Sequence, residues 1–102
     1  MTKFFIVFVD DARQDILDLT NTIRFEYKAP ITSVKYIRGL HQAIKKLGNN
    51  GGNFALQTHP FFSKYGRQVR RLNYKKMVII YTIFGNTIII HRVIPSSMIV
   101  DC

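Results

Sequence analysis

GRQVRRLNYKKMVIIYTIFGNTIIIHRVI, residues 66–94, opens with a dense basic patch (Arg67, Arg70, Arg71, Lys75, Lys76) and closes as two apolar, β-branched runs. The runs, Met77–Phe84 and Thr87–Ile94, are separated only by Gly85-Asn86. Val, Ile, Thr, Tyr and Phe fit a pleated, half-buried surface. Gly-Asn between two such runs signals a tight hairpin, because the turns that match strand twist need positive φ. The C-terminal half therefore reads as a β-hairpin preceded by a basic strand over Arg67–Asn73. The polar chemistry is expected on or beside that sheet.

The 102 residues bound a single domain, 1–102, able to bury one core without metal or disulfide. The apolar share of 47% is that of a globular chain and excludes intrinsic disorder. Cys102 is the only cysteine, so no intrachain disulfide can form, which fits a reducing compartment. Lys3 and the apolar Phe4–Val9 resemble the start of a signal peptide, but the run is short and ends in Asp10-Asp11 without a cleavage site. No stretch reaches bilayer length. A soluble, cytoplasmic protein with no membrane association is expected.

The net charge of +9 is segregated. Residues 1–27 hold three cations against five acids, a balance of −2, whereas residues 28–102 hold twelve Lys or Arg against Asp101 alone, a balance of +11. Such a distribution attracts polyanions or an acidic protein at long range.

Near the start, Lys3–Val9 is apolar at almost every position and reads as a strand buried on both faces. Asp10 or Asp11 is placed to cap a helix. Ala12, Ile16, Leu19, Ile23 and Tyr27 follow at helical spacing, with Leu17 broadening the stripe. After Ala29-Pro30-Ile31 a second helix is expected, capped by Thr32 or Ser33, with a stripe of Val34, Ile37, Leu40 (or His41), Ile44 and Leu47. The glycine- and asparagine-rich residues 48–53 should stop it. Residues 54–65, with four aromatics around Pro60, read as an irregular segment holding at most a short strand. The expected fold is α+β, in the order β-α-α-β-β-β, with an antiparallel helical hairpin on a mainly antiparallel sheet.

This order, with particular residues, resembles the RelE/ParE family of bacterial toxins from type II toxin–antitoxin systems, a group that includes plasmid-stabilisation proteins. Residues 8–16 (FVDDARQDI) and Ile23 look like the family's first-helix pattern. Ile37, Leu40, Ile44 and Leu47 look like its second-helix pattern. Val69–Leu72, Val78–Tyr81, Gly85-Asn86 and Ile88–Val93 look like its sheet core. The resemblance implies a growth-inhibiting protein held inactive by a cognate antitoxin, as a homodimer or a heterotetramer with that antitoxin. It also implies one of two targets: mRNA on the ribosome, which some members cut, or DNA gyrase, which others block without chemistry. A basic RNA-binding module is the third reading of the charge.

Cleavage through a ribose 2′-OH needs a proton acceptor, a proton donor and cations for the phosphorane. Arg67 and Arg71 are the candidate phosphate clamps, and Tyr81 and His91 the candidate proton-transfer groups, with Tyr74 behind them. Arg70, Lys75, Lys76 and Arg92 are candidates for binding nucleic acid or a partner. Alternation sends Arg70 and Arg71 to opposite faces. A two-residue turn at Gly85-Asn86 would pair Tyr81 with Ile90 and Ile80 with His91, leaving Tyr81 and Arg92 on one face and Thr82 and His91 on the other. Tyr81 and His91 also fit structural roles. The resemblance implies basic or aromatic residues after the last core strand in the RNA-cutting members, whereas this sequence offers no Arg, Lys, His or Tyr after Arg92. By that resemblance a nuclease would need its acid and clamp from elsewhere, and Met98–Val100 would instead extend an apolar surface. His41, His59 and His91 are too scattered for a metal, and Gly48–Gly52 form no nucleotide-binding pattern, so no metal or cofactor is expected. Cys102, without a nearby His, is a poor nucleophile.

Overall fold

The computed structural model describes residues 3–99. Val100 at the end of the apolar tail, Asp101 and Cys102 lie outside the described residues. The elements are β1 (Phe5–Phe8), α1 (Asp10–Asn21), α2 (Pro30–Asn50), β2 (Arg70–Tyr74), β3 (Met77–Phe84) and β4 (Thr87–Pro95). One sheet, ordered β1-β4-β3-β2, carries a parallel pair at β1/β4 and antiparallel pairs elsewhere. This is the expected α+β layout, but β1 is not buried on both faces: it is an edge strand whose alternate residues Phe5 and Val7 are exposed.

Gly85 takes φ +61° while Asn86 does not, so the hairpin turns on the glycine, and Phe84 pairs Thr87 as the spacing requires. The period of two then splits β3. Met77, Ile79 and Tyr81 pack with Leu40, Ile44 and Leu47 of α2 and Ala12 of α1, while Val78 and Ile80 pack with Phe62, Val69, Ile94 and Ile99 on the opposite face. Both faces of the central strand are thus covered, which explains its near-continuous apolar run. Each of the three buried α2 side chains contributes about 1.5–3 kcal/mol relative to exposure.

The helices depart from the sequence reading in four places. Val9, not an aspartate side chain, stands at the N-cap of α1, which begins at Asp10. Past Asn21 the backbone widens into a π-helical turn over Thr22–Glu26. Pro30 itself opens α2, because a proline at the first helical position lacks only an N–H that would be unpaired there. The glycines do not stop α2 at residue 48. It continues to Asn50 and tightens into a 3₁₀ turn over Gly51–Asn53.

The inner stripe of α2 is also rotated at its start. Ser33 is buried, donating its hydroxyl to the carbonyl of Thr20, while Val34 is exposed. With Leu17, Phe25, Tyr27 and Ile31, Val34 leaves the outer part of the helical pair rich in exposed apolar side chains. Residues 54–69 hold a 3₁₀ helix over Pro60–Tyr65 and a single antiparallel bridge, Leu56 to Arg70. No helix among the described residues is long and apolar enough to cross a membrane.

Candidate functional site

The basic strand is shorter than its sequence suggested. Arg67 lies before it, exposed in the loop, and β2 starts at Arg70. Arg70 stands opposite Tyr81, and its guanidinium donates to the carbonyls of Gly52 (3.2 Å) and Phe54, tying the turn that follows α2 to the sheet. Arg71 stands opposite Ile80 on the other face and donates Nε–H to Asn73 Oδ1 at 3.1 Å. The two arginines do take opposite faces.

Tyr81 is fully buried on the helix side, donating its hydroxyl to the carbonyl of Gly51 at 2.6 Å. Burial pushes its pKa up to about 12, partly offset by the positive charge of Arg70. A phenol that holds its proton this firmly and points into the core is a poor proton source for an external substrate.

β4 carries a bulge that simple alternation could not foresee. Tyr81 pairs Ile90 as expected, but Ile80 pairs Arg92, so His91 is the extra residue. His91 Nε2 lies 2.8 Å from Thr82 Oγ1, and its ring sits 5.8 Å from that of Tyr65. Burial lowers its pKa, which keeps the imidazole neutral near pH 7. His91 and Thr82 share a face, as counted from the turn. The expectation that Arg92 shares the face of Tyr81 is corrected by the bulge. Arg92 stands opposite Ile80, and its guanidinium grips Asp15 of α1 through two hydrogen bonds of 2.7 and 2.9 Å.

Apart from Arg67 in the loop and Arg92 on Asp15, the candidates fall into three places. Tyr81 and Arg70 lie on the helix side, both committed to backbone carbonyls. Arg71 and His91 lie on the opposite face, separated by β3, where Ile80 packs with Phe62, Val69 and Ile94. Lys75 and Lys76 form the exposed β2–β3 turn. Lys75 adopts φ +53°, and its ammonium lies 5.2 Å from the Tyr36 ring centroid and 5.5 Å from that of Tyr74. Among the described residues no group of three His, Cys, Asp or Glu could hold a metal ion.

Sequence reasoning missed Tyr65, whose ring meets His91, and Tyr36, which packs edge-on against Tyr74 at 5.4 Å. It also passed over Asp15, the partner of Arg92. Aromatic spacing hinted at the first two; nothing local pointed to the third.

The family model described as the ParE toxin of the type II toxin–antitoxin system parDE matches residues 6–100. No curated protein matches the chain in sequence. A solved structure from the chromosomal ParDE toxin–antitoxin system of P. aeruginosa superposes with a TM-score of 0.75, covering 93% of this chain and 98% of that one. At 14% identity that likeness speaks for the shared fold. The match along almost the whole chain places it in a family: it belongs to the ParE toxins of type II toxin–antitoxin systems.

Proposed function

We propose that this chain is a growth-inhibiting toxin that acts by binding, with DNA gyrase as its target, and that a cognate antitoxin protein neutralises it. The observation that carries this reading is the separation of the proton-transfer groups. Tyr81 is sealed in the helix-side core, His91 is bonded to Thr82 across the sheet, and Arg92 is held by Asp15. General acid–base catalysis needs donor, acceptor and cation within hydrogen-bond reach of one reacting atom. A toxin that only binds has no such requirement. The exposed Phe25, Tyr27, Ile31 and Val34 offer it the apolar contact area that protein interfaces use, and its basic charge favours an acidic antitoxin segment.

The second reading, ribosome-dependent mRNA cleavage, draws support from one feature. His91 and Arg71 occupy the same face of the sheet, with Tyr65 against the imidazole. A direct test adds purified toxin to gyrase with relaxed plasmid, to a non-gyrase topoisomerase with supercoiled plasmid, and to translating ribosomes carrying mRNA. Selective loss of gyrase supercoiling with intact mRNA is expected. Cut mRNA with normal supercoiling overturns the proposal.

A further inference from the structure

Between α2 and β2 lies an open cleft of about 440 Å³, within the range of about 300–1,000 Å³ typical of ligand sites. Gln42, Lys46 and Asn50, spaced four apart on one face of α2, form its wall. Phe54, Leu72 and Tyr74 form its floor, the last two alternate residues of one strand. Gly39 stands where any Cβ would collide with the Tyr74 hydroxyl, so the absence of a side chain there lets the phenol ring seat against the helix.

The surroundings of this cleft carry one sign of charge. From Lys28 to Val100 the sequence contains no Asp or Glu. α2 carries four cations, and β2 with the Lys75-Lys76 turn carries four more. The Lys75 ammonium lies 5.2 Å from the Tyr36 ring centroid and 5.5 Å from that of Tyr74, which lines the cleft. Charge spread along a helix of 21 residues, roughly 30 Å, exceeds what one nucleotide could engage and suits a polymer.

We propose that the α2–β2 face binds single-stranded nucleic acid. Phosphates lie along Lys46, Lys75 and their basic neighbours, and a base enters the cleft over Phe54 and Tyr74, its edge within reach of the Gln42 and Asn50 amides. An acidic peptide would match the charge alone. A duplex keeps its bases stacked and cannot place one in the cleft. Strand addition at β2 is disfavoured, because the Leu56–Arg70 bridge and the Gln57 N–H to Val69 carbonyl bond already cover part of that edge. The proposal does not depend on the toxin's target and is measured without gyrase or ribosomes.

The experiment is fluorescence anisotropy of short labelled oligonucleotides, as deoxyribose and ribose single strands and as DNA duplex, titrated with the full chain at several salt concentrations. Single strands should bind better than duplex, with affinity falling as salt rises. Binding of either sugar form supports the proposal, and the tighter one names the ligand. Lys46→Glu with Lys75→Glu should weaken binding by about tenfold or more and flatten the salt dependence. Tyr74→Leu should weaken single-strand binding about tenfold while leaving the salt slope unchanged. Tyr74 packs against Tyr36, so its variant is checked for folding by thermal melting. If it is unfolded, the double lysine variant, altered only at exposed positions, carries the test. Wild-type affinity in that variant, equal binding of duplex, or competition by polyglutamate as effective as by oligonucleotide would overturn the proposal.

Discussion

Asp15 on α1 and Arg92 on β4, 77 positions apart, share a two-point ion pair, and the same carboxylate accepts the backbone N–H of Val93 at 2.9 Å. β1 pairs β4 only as far as Phe8 and Ile90, with the Val9 N–H closing on the Ile90 carbonyl. Beyond that point Asp15 supplies the acceptor that a neighbouring strand would otherwise provide for Val93. The hydrogen bonds that Arg92 donates to Asp15 raise its pKa further above its already high value, against the opposing effect of burial.

Asp15→Asn removes the charge and one half of that fork while keeping the shape. Charge-assisted hydrogen bonds contribute about 1.5–3 kcal/mol, so this substitution should lower Tm by about 10 °C. Arg92→Gln should cost a similar amount. The double variant should cost less than the sum, as a double-mutant cycle by chemical denaturation would read. Strict additivity would show that the two residues act separately.

Tyr81→Phe deletes the hydroxyl that holds the carbonyl of Gly51, buried in the 3₁₀ turn that follows α2. The unpaired carbonyl should cost about 1–3 kcal/mol in denaturant unfolding. Because the folded state raises the Tyr81 pKa to about 12 from 10.0, its contribution is complete below pH 10 and is lost as pH rises toward 12. The wild type should therefore weaken faster than Tyr81→Phe across that alkaline window. Growth inhibition should survive in Tyr81→Phe at permissive temperature. Loss of toxicity from a folded variant would return Tyr81 to a chemical role.

His91 makes the opposite pH prediction. Its folded pKa lies below the ordinary 6.5, so the unfolded chain binds its proton first as pH falls. The stability it supports is present above pH 6.5 and is lost as pH falls through the folded value. His91→Gln should flatten the acid-side slope of a stability–pH profile without abolishing growth inhibition. An unchanged slope would show that His91 is not the group responsible.

The parts of the fold that local chemistry sets were readable in the sequence. Gly85-Asn86 fixed the hairpin, alternation separated Arg70 from Arg71, and helical spacing found Leu40, Ile44 and Leu47. What failed depends on contacts distant in sequence. Counting by twos from the turn cannot reveal an inserted residue, so the bulge at His91 moved Arg92 to an unforeseen position. Ser33 is buried and Val34 exposed because the serine hydroxyl bonds to α1, a pairing no stripe of apolar residues shows. The candidate site suffered most, because the partners of Arg70, Tyr81 and Arg92 lie 16 to 77 positions away.

Gly39→Ala sets helix propensity against packing. Alanine should favour α2 by about 1 kcal/mol, but its methyl would displace the rigid Tyr74 phenol. Overpacking of this kind costs about 1–3 kcal/mol, so net destabilisation in thermal melting is expected. A stabilised variant would mean that Tyr74 has another low-energy seat.

The measurement that bears most directly on toxin action by binding is pulse labelling of new DNA and new protein after induction in bacteria. DNA synthesis should fall first while cellular mRNA stays intact, and co-expression of the cognate antitoxin should restore growth. Early loss of protein synthesis with fragmented mRNA would contradict a binding mechanism and make His91, Arg71 and Tyr65 the residues to substitute next.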